Sequence, residues 1–286
     1  MKLIKKTKIT KPDTVYNLHV ENDHNYIANN AVVKNCHLGK ADVLKKLLTG
    51  PFANVPIRWG LTGTIPKEKH FEMSIAVGIG PTVGSLQSSV LQDKGILSSC
   101  DINVIQLKDD IVYDNYHSEM KYLTSNKERM VWLSSFIDNI SNNSNTLVLV
   151  NNIKTGEMIV EALNELGIDD IIFVSGKMDS KDRKSEYDKF KDGDGKIVIA
   201  TFGVASTGIN IIRINNMVLL EPGKSFVRVI QSIGRGLRKG FDKDHVEIYD
   251  LCSSAKYSKR HLTERKKYYR ESNYPYKVTK VDWKKS

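Results

Sequence analysis

Cysteine is scarce in this chain, and its spacing excludes two architectures. Among 286 residues there are only Cys36, Cys100 and Cys252, far apart and with no CxxC pair. A disulfide framework and a cysteine-based zinc site are therefore not expected, and a reducing compartment is. Long apolar runs are missing too. Nothing approaches the roughly 20 residues that span a bilayer, so no membrane partner is expected. The basic start Met1–Lys6 has no apolar stretch behind it, which argues against a secretory signal. A phosphate-binding GxxxxGK[ST] loop is absent. Gly223-Lys224-Ser225 imitates its end, but Val218 stands where a glycine is required. No cluster of acidic residues suggests a nuclease. With 40% hydrophobic residues and only 7 prolines, the chain is expected to fold, and its length suggests two units.

What is present is positive charge, placed at the ends. The net charge is +10. Residues 251–286 hold 11 Lys/Arg against 3 Asp/Glu, and residues 1–35 hold 6 against 3, leaving the middle near neutral. The tail also carries Tyr257, Tyr268, Tyr269, Tyr274, Tyr276 and Trp283. Basic and aromatic residues together suit phosphate contacts and stacking on bases. The alternative is a charged helix whose aromatic rings dock on the core.

Residues 1–35 contain alternating stretches, Val15–Val20, Tyr26–Ala28 and Ala31–Val33, separated by Glu21–Asn25 and Asn29-Asn30. Two or three short strands cannot bury a core alone, so this segment is expected to need a partner. Val15-Tyr16-Asn17-Leu18-His19-Val20-Glu21-Asn22-Asp23-His24-Asn25-Tyr26-Ile27-Ala28-Asn29, followed by Val32-Val33-Lys34-Asn35-Cys36, resembles the C-terminal splicing block of inteins. With Met1 directly ahead of the block, the resemblance implies the C-terminal fragment of a split intein over residues 1–35. Cys36 would be the thiol nucleophile. Asn35 would cyclise and break the Asn35–Cys36 bond, and His24 would carry protons. Splicing itself needs no cofactor. Two positions depart from the block and bear on rate: Lys34 where a histidine is usual, and Asn17 where aspartate is frequent.

Residues 36–108 read as the end of one α/β unit, with 109–125 as a connector. Ala41–Leu48 has helical spacing and stops at Gly50-Pro51. Ile57–Leu61 reads as a strand ending in Thr62-Gly63-Thr64, and Asp101–Leu107 as another strand. Residues 126–250 alternate strands with amphipathic helices, with strands at Thr146–Val150, Ile171–Val174, Ile197–Ala200, Met217–Leu220 and Val246–Tyr249 and a helix over 154–166. That pattern predicts a parallel sheet covered on both faces.

Three motifs fall on this frame. Thr62-Gly63-Thr64 resembles motif III of superfamily 2 helicases. Ala200–Asn210, with Thr201, Ser206, Thr207 and Gly208, resembles motif V, although the family often has aspartate at Asn210. Gln231-Ser232-Ile233-Gly234-Arg235-Gly236-Leu237-Arg238 resembles motif VI; helical spacing puts Gln231, Arg235 and Arg238 on one stripe. With Val174-Ser175-Gly176, these most resemble the phage UvsW type of recombination and repair helicase, over about residues 36–270. The resemblance implies the end of a first RecA-like domain, a complete second one over 126–250 and a basic tail over 251–286. It implies that Arg235 and Arg238 reach the γ-phosphate of ATP, with Arg238 the finger. His37, Gln231, Gly208 and Asn210 would line the nucleotide cleft. Thr62, Thr64, Thr201, Ser206 and Thr207 would face DNA, with RNA a second candidate nucleic acid.

The two resemblances meet at Cys36. In the UvsW type the metal-holding motif reads Asp-Glu-Cys-His-Leu, and here Cys36-His37-Leu38 follows the splice point. A separate partner chain is thus expected to bring the P-loop, the Asp-Glu pair and the intein N-terminal fragment. ATP and Mg²⁺ would be used after ligation, no metal ligand is assigned to this chain, and the phage likeness implies the host cytoplasm. The alternative is a nucleic-acid-binding or regulatory module that never splices.

Overall fold

The structure is a computed structural model. It describes residues 3–8, 16–20, 25–28, 31–35, 46, 48–54, 57–61, 69–85, 88–142, 144–176, 178, 195–207, 213–225, 229, 233 and 244–285. They divide into two units, Met1–Ser85 and Leu86–Ser286.

In the first unit, β1 (Leu3–Lys8) pairs antiparallel with β2 (Tyr16–Val20), Lys8 opposite Tyr16. A second antiparallel pair joins β3 (Asn25–Ala28) to β4 (Ala31–Asn35) across Asn29-Asn30. β4 also pairs in parallel with β5 (Ile57–Leu61), Asn35 opposite Leu61. Tyr16–Val20, Asn25–Ala28 and Ile57–Leu61 follow the alternation in the sequence. β1 was not anticipated, because Leu3-Ile4-Lys5-Lys6-Thr7-Lys8 offers little apolar alternation and its pairing with β2 is what makes it a strand. Helix α1 (Lys69–Gly78) leads to Ile79, which packs with Phe52 on the buried Leu48.

The second unit is built on seven strands: β6 (Ser99–Leu107), β7 (Thr146–Val150), β8 (Ile171–Val174), β9 (Ile197–Thr201), β10 (Asn216–Leu220), β11 (His245–Ser253) and β12 (Tyr276–Val281). Their order is β12-β6-β11-β10-β7-β9-β8, with every pairing parallel. β7 and β10 are buried at every residue, as central strands of a doubly covered sheet are. Successive side chains alternate between two cores. Leu147, Leu149, Val198, Ala200, Met217 and Leu219 enter one. Val148, Val150, Ile197, Ile199, Val218 and Leu220 enter the other. This is the parallel α/β architecture that the alternating pattern anticipates.

The connecting helices are α2 (Ser88–Asp93), α3 (Tyr116–Leu123), α4 (Lys127–Ser141), α5 (Ile153–Glu165), α6 (Phe202–Thr207) and α7 (Lys256–Glu271). Asparagine starts three of them. Asn115, Asn126 and Asn152 each accept a bond from the backbone N–H three residues on, at 2.9 Å. α5 stops because Gly167 takes φ +81°. Gly167 N–H then donates to Asn164 and Ile168 N–H to Leu163, satisfying the last-turn carbonyls. Ile159 and Leu163 bury one face of α5, and Met130, Leu133 and Ile137 one face of α4, in the same core.

Two expected boundaries move. β6 does not close the first unit. It pairs with both β11 and β12, so the stretch Asp101–Leu107 belongs to the second sheet and the division falls after Ser85. Residues 251–286 are not an appended tail either: Leu251–Ser253 finish β11, and α7 and β12 complete the sheet. Tyr269, Tyr274 and Trp283 are buried in the two cores, so these three rings dock inward and are not available to stack on bases. A sheet with an open edge at β11 would leave its ladder unpaired, and β6 and β12 fill that edge. Among the described residues, no helix is long and apolar enough to cross a membrane.

Candidate nucleic-acid interface

The parallel strands of the second unit all end at one edge, and in such sheets that edge is where ligands bind, near the point where strand order reverses. Here the reversal lies at β7, which has β9 on one side and β10 on the other. β7 runs into Asn151-Asn152, β10 into Glu221 and β9 into Phe202. Thr201 stands level with Val150 in the ladder, so the start of the motif V stretch lies at the same sheet edge as Asn151. Behind it α6 is anchored by Phe202, Val204 and Ala205, all buried.

Glu221 holds the floor of this edge. Its φ is +44°, a left-handed backbone that costs a non-glycine residue about 1 kcal/mol or more. The surroundings fix it. Its N–H donates to Leu251 at 2.9 Å and its carbonyl accepts from Asn151 Nδ2 at 2.6 Å. Its carboxylate accepts from Arg129 Nη2 at 2.9 Å and from Ser258 Oγ at 2.7 Å. Burial pushes this carboxyl upward, against the pull of Arg129. Arg129 is fully buried, donates Nη1 to Leu123 O at 2.6 Å, and lies 3.5 Å from Asp109 Oδ2 through Nε. That last contact is an ion pair and not a hydrogen bond, since Asp109 Oδ2 and Arg129 Nε have no hydrogen-bond partner. Trp283 Nε1 donates to Asp109 Oδ1 at 3.0 Å.

A second charged group braces the same edge. Asp250 receives Arg265 Nε and Nη2, each at 2.8 Å, and the Tyr269 hydroxyl at 2.8 Å. Burial disfavours the Arg265 charge, but Asp250 more than offsets it and holds the guanidinium ionised. Arg265 Nη1 reaches Gly223 O at 2.7 Å, fixing the turn after β10. Gly223 itself sits at φ +73°. Gly223-Lys224-Ser225 is thus a strand-end turn tied to α7. α7 has no side-chain cap of its own. Glu119 of α3 supplies one, accepting from Tyr257 N at 3.0 Å and Ser258 N at 2.8 Å.

In front of Asn151 and Asn152 lies a cleft of about 390 Å³ between α3 and the start of α5, lined among others by Tyr116, His117, Lys121, Ser125 and Lys154. Among the described residues, no carboxylate lines it. Lys121 and Lys154 are exposed, and the first turn of α5 presents its N-terminal dipole there. Such a surface suits a phosphate backbone. The sequence reading overlooked it. The available signal was Asn151-Asn152 directly after a fully apolar strand, with lysines at 121 and 154.

Of the residues singled out by sequence, Thr201 is half-buried at the carboxyl edge of the sheet. Ser206 and Thr207 end α6, and Asn35 ends β4; only their backbones are described. His24, Cys36, His37, Thr62, Thr64, Gly208, Asn210, Gln231, Arg235 and Arg238 lie outside the described residues. Ile233, within the motif VI stretch, and Val229, two residues before that stretch, are helical and buried in the core. The two described cysteines are free and buried, and burial pushes the Cys100 thiol up to about 12; neither is set up as a nucleophile.

Residues 128–240 match the family described as helicase conserved C-terminal domain. The ATP-dependent DNA helicase uvsW of Enterobacteria phage T4 is 28% identical over 241 residues, covering 82% of this chain and 47% of that protein. The chain therefore spans about half the length of that curated relative. The crystal structure of T4 UvsW matches 88% of this chain and 53% of its own, with a TM-score of 0.57 at 21% identity. Saccharomyces cerevisiae Dbp5 bound to RNA and ADP BeF3 matches 88% of this chain and 59% of its own, with a TM-score of 0.56 at 15% identity. Residues 128–240 are thus similar to helicase C-terminal domains, and the parallel α/β fold of the chain is shared with T4 UvsW. β6, β11, α7 and β12 complete this chain's sheet from outside the matched stretch.

Proposed function

We propose that the chain is a precursor fragment of an ATP-dependent superfamily 2 DNA helicase of recombination and repair, completed by trans-splicing at Asn35–Cys36; the likeness of residues 128–240 to the helicase conserved C-terminal domain supports the helicase part of this reading. The observation that supports the splice site is the parallel pairing of β4 with β5, Asn35 opposite Leu61. β4 occupies the place beside β5 that a strand ending in Asp-Glu would take in the ligated product. Exchange of one for the other in the same register puts two carboxylates directly before Cys36-His37 and level with Gly60-Leu61, which immediately precede Thr62-Gly63-Thr64 in the sequence.

The chemistry balances. The Cys36 thiolate attacks the partner's upstream thioester, taking the acyl group and releasing the partner's thiol. The Asn35 side-chain nitrogen then attacks its own main-chain carbonyl, closing a succinimide and freeing the Cys36 amine. That amine takes the acyl group from the Cys36 sulfur and leaves a normal peptide bond. In the ligated enzyme, ATP with Mg²⁺ supplies the driving hydrolysis. This chain contributes Arg235 and Arg238 toward the γ-phosphate, with Gln231, His37, Gly208 and Asn210 lining the cleft. Thr201, Ser206, Thr207, Lys121 and Lys154 contact the DNA backbone. The sequence contains the arginine half of a nucleotide site and no P-loop, so the unligated chain has no ATPase activity.

The test is to mix the chain with a partner that carries a P-loop, a terminal Asp-Glu and an intein N-fragment, and to weigh the products. The expected result is a ligated chain continuing from Cys36, release of residues 1–35, and ATPase activity that appears only with ligation. Cys36→Ala abolishes ligation, and Asn35→Ala blocks release at the second junction. Normal ligation by Cys36→Ala, or turnover of ATP by the chain alone, defeats the proposal. DNA binding with no change of mass identifies a non-splicing module instead.

A further inference from the structure

At the opposite, amino edge of the second sheet, β6 and β11 start side by side, Ser99 facing His245, Asp101 facing Glu247 and Asn103 facing Tyr249. Alternate residues share a face, so Asp101, His245 and Glu247 converge on the same side. His245 Nε2 lies 3.5 Å from Asp101 Oδ2 and 3.2 Å from Glu247 Oε1, and all three ligand atoms fall within 4.8 Å of one another. We propose that Asp101, His245 and Glu247 form a binding site for a divalent transition metal, best matched by Zn²⁺, that ties β6 to β11.

Neighbouring groups hold the three residues in place. Ser99 Oγ donates to Asp244 O at 3.1 Å and lies 2.8 Å from His245 Nδ1, which orients the ring from behind. Nε2 then faces both carboxylates, in a 3.2 Å hydrogen-bond contact with Glu247 Oε1 and 3.5 Å from Asp101 Oδ2. A metal ion satisfies all three ligands together. Asn103 Nδ2 donates to Glu247 Oε2 at 2.6 Å, which turns Oε1 inward and orients the ligand from behind.

The separations suit zinc. Tetrahedral coordination at 2.0–2.1 Å sets ligand atoms about 3.3 Å apart, close to the two distances that involve His245. An imidazole with two carboxylates is a zinc ligand set, whereas Mg²⁺ favours all-oxygen octahedral sites. The three side chains are 38–57% exposed, so the ion can enter and a water can complete its shell. The site lies at the far end of the strands from the nucleic-acid interface and uses none of the residues assigned there.

The test uses the full 286-residue chain and Zn²⁺ alone, by calorimetry and thermal melting near pH 7.5. Relative to His245→Asn, the wild type is expected to bind one additional zinc. At a hundredfold excess over Kd, its Tm should rise by roughly 5 °C or more, a rise that the variant lacks. Asp101→Asn, a surface change that leaves the histidine, is expected to weaken this site at least tenfold. Counting against His245→Asn discounts zinc held elsewhere, for instance by Cys36 and His37. Equal zinc stoichiometry and equal melting shifts in the wild type and His245→Asn overturn the proposal. Because the readout is metal uptake, failure here does not bear on ligation or ATPase activity.

Discussion

Replacing Arg129 with leucine tests whether the buried charge network holds the carboxyl edge of the sheet. Arg129 has no exposed surface and is the cation placed between Glu221 and Asp109. Leucine removes the 2.9 Å bond to Glu221, the 3.5 Å pairing with Asp109 and the 2.6 Å bond to Leu123 O. Breaking a buried ion pair from one side costs about 3–5 kcal/mol, because the partner charge stays buried. With overall stabilities of about 5–15 kcal/mol, this is a large fraction. At a urea dependence of about 2–3 kcal/mol per molar, the unfolding midpoint of the 86–286 unit should fall by roughly 1.5 M. The loss should also depend on pH. Burial already raises the Glu221 carboxyl, and without Arg129 it rises further. A folded-state pKa above the unfolded value favours folding at low pH, and that contribution is lost as pH rises through the folded pKa. The penalty of Arg129→Leu should therefore shrink as pH is lowered from 7 toward 5. Arg129→Leu combined with Glu221→Leu should recover part of the loss. A penalty under about 1 kcal/mol in urea, flat between pH 5 and 7, refutes the assignment of this network as the brace of the edge.

Two further outcomes follow from the same geometry. Lys121→Ala with Lys154→Ala removes both exposed cations of the cleft before Asn151, so DNA affinity should fall and the slope of log K against log salt should lessen by about 1.5–2; fluorescence anisotropy across a salt series measures this, and an unchanged slope places the phosphates elsewhere. Gly156→Ala would set a Cβ 2.4 Å from the Phe173 ring, so a loss of about 1–3 kcal/mol is expected, recovered in part by Phe173→Leu; an unaffected melting curve would show that α5 and β8 are not held this tightly.

Much of the second unit was legible because its physics is local. Leu147–Val150 is an unbroken apolar run, which marks a strand covered on both faces, and Asn152 and Gly167 bracket α5 with the residues that cap and end helices. The carboxyl edge was legible in part. Thr201 was found because a glycine- and hydroxyl-rich stretch follows a strand, while Asn151, Lys121 and Lys154 were missed because no short pattern connects residues 30 positions apart. The place of Asp101–Leu107 was misread for a related reason. Its alternation identifies a strand, but periodicity says nothing about which sheet receives it.

The sequence by itself determined the alternating strands and helices of residues 146–250 and the motifs, since helix caps, strand periods and phosphate-approaching glycines act over a few residues. Only the tertiary structure decided that β6 and β12 finish the second sheet, that Tyr269, Tyr274 and Trp283 turn inward, and that Arg129 is shared between Asp109 and Glu221. Those outcomes rest on pairing and burial between residues up to 174 positions apart, where the free energy lies in contacts that no local pattern encodes.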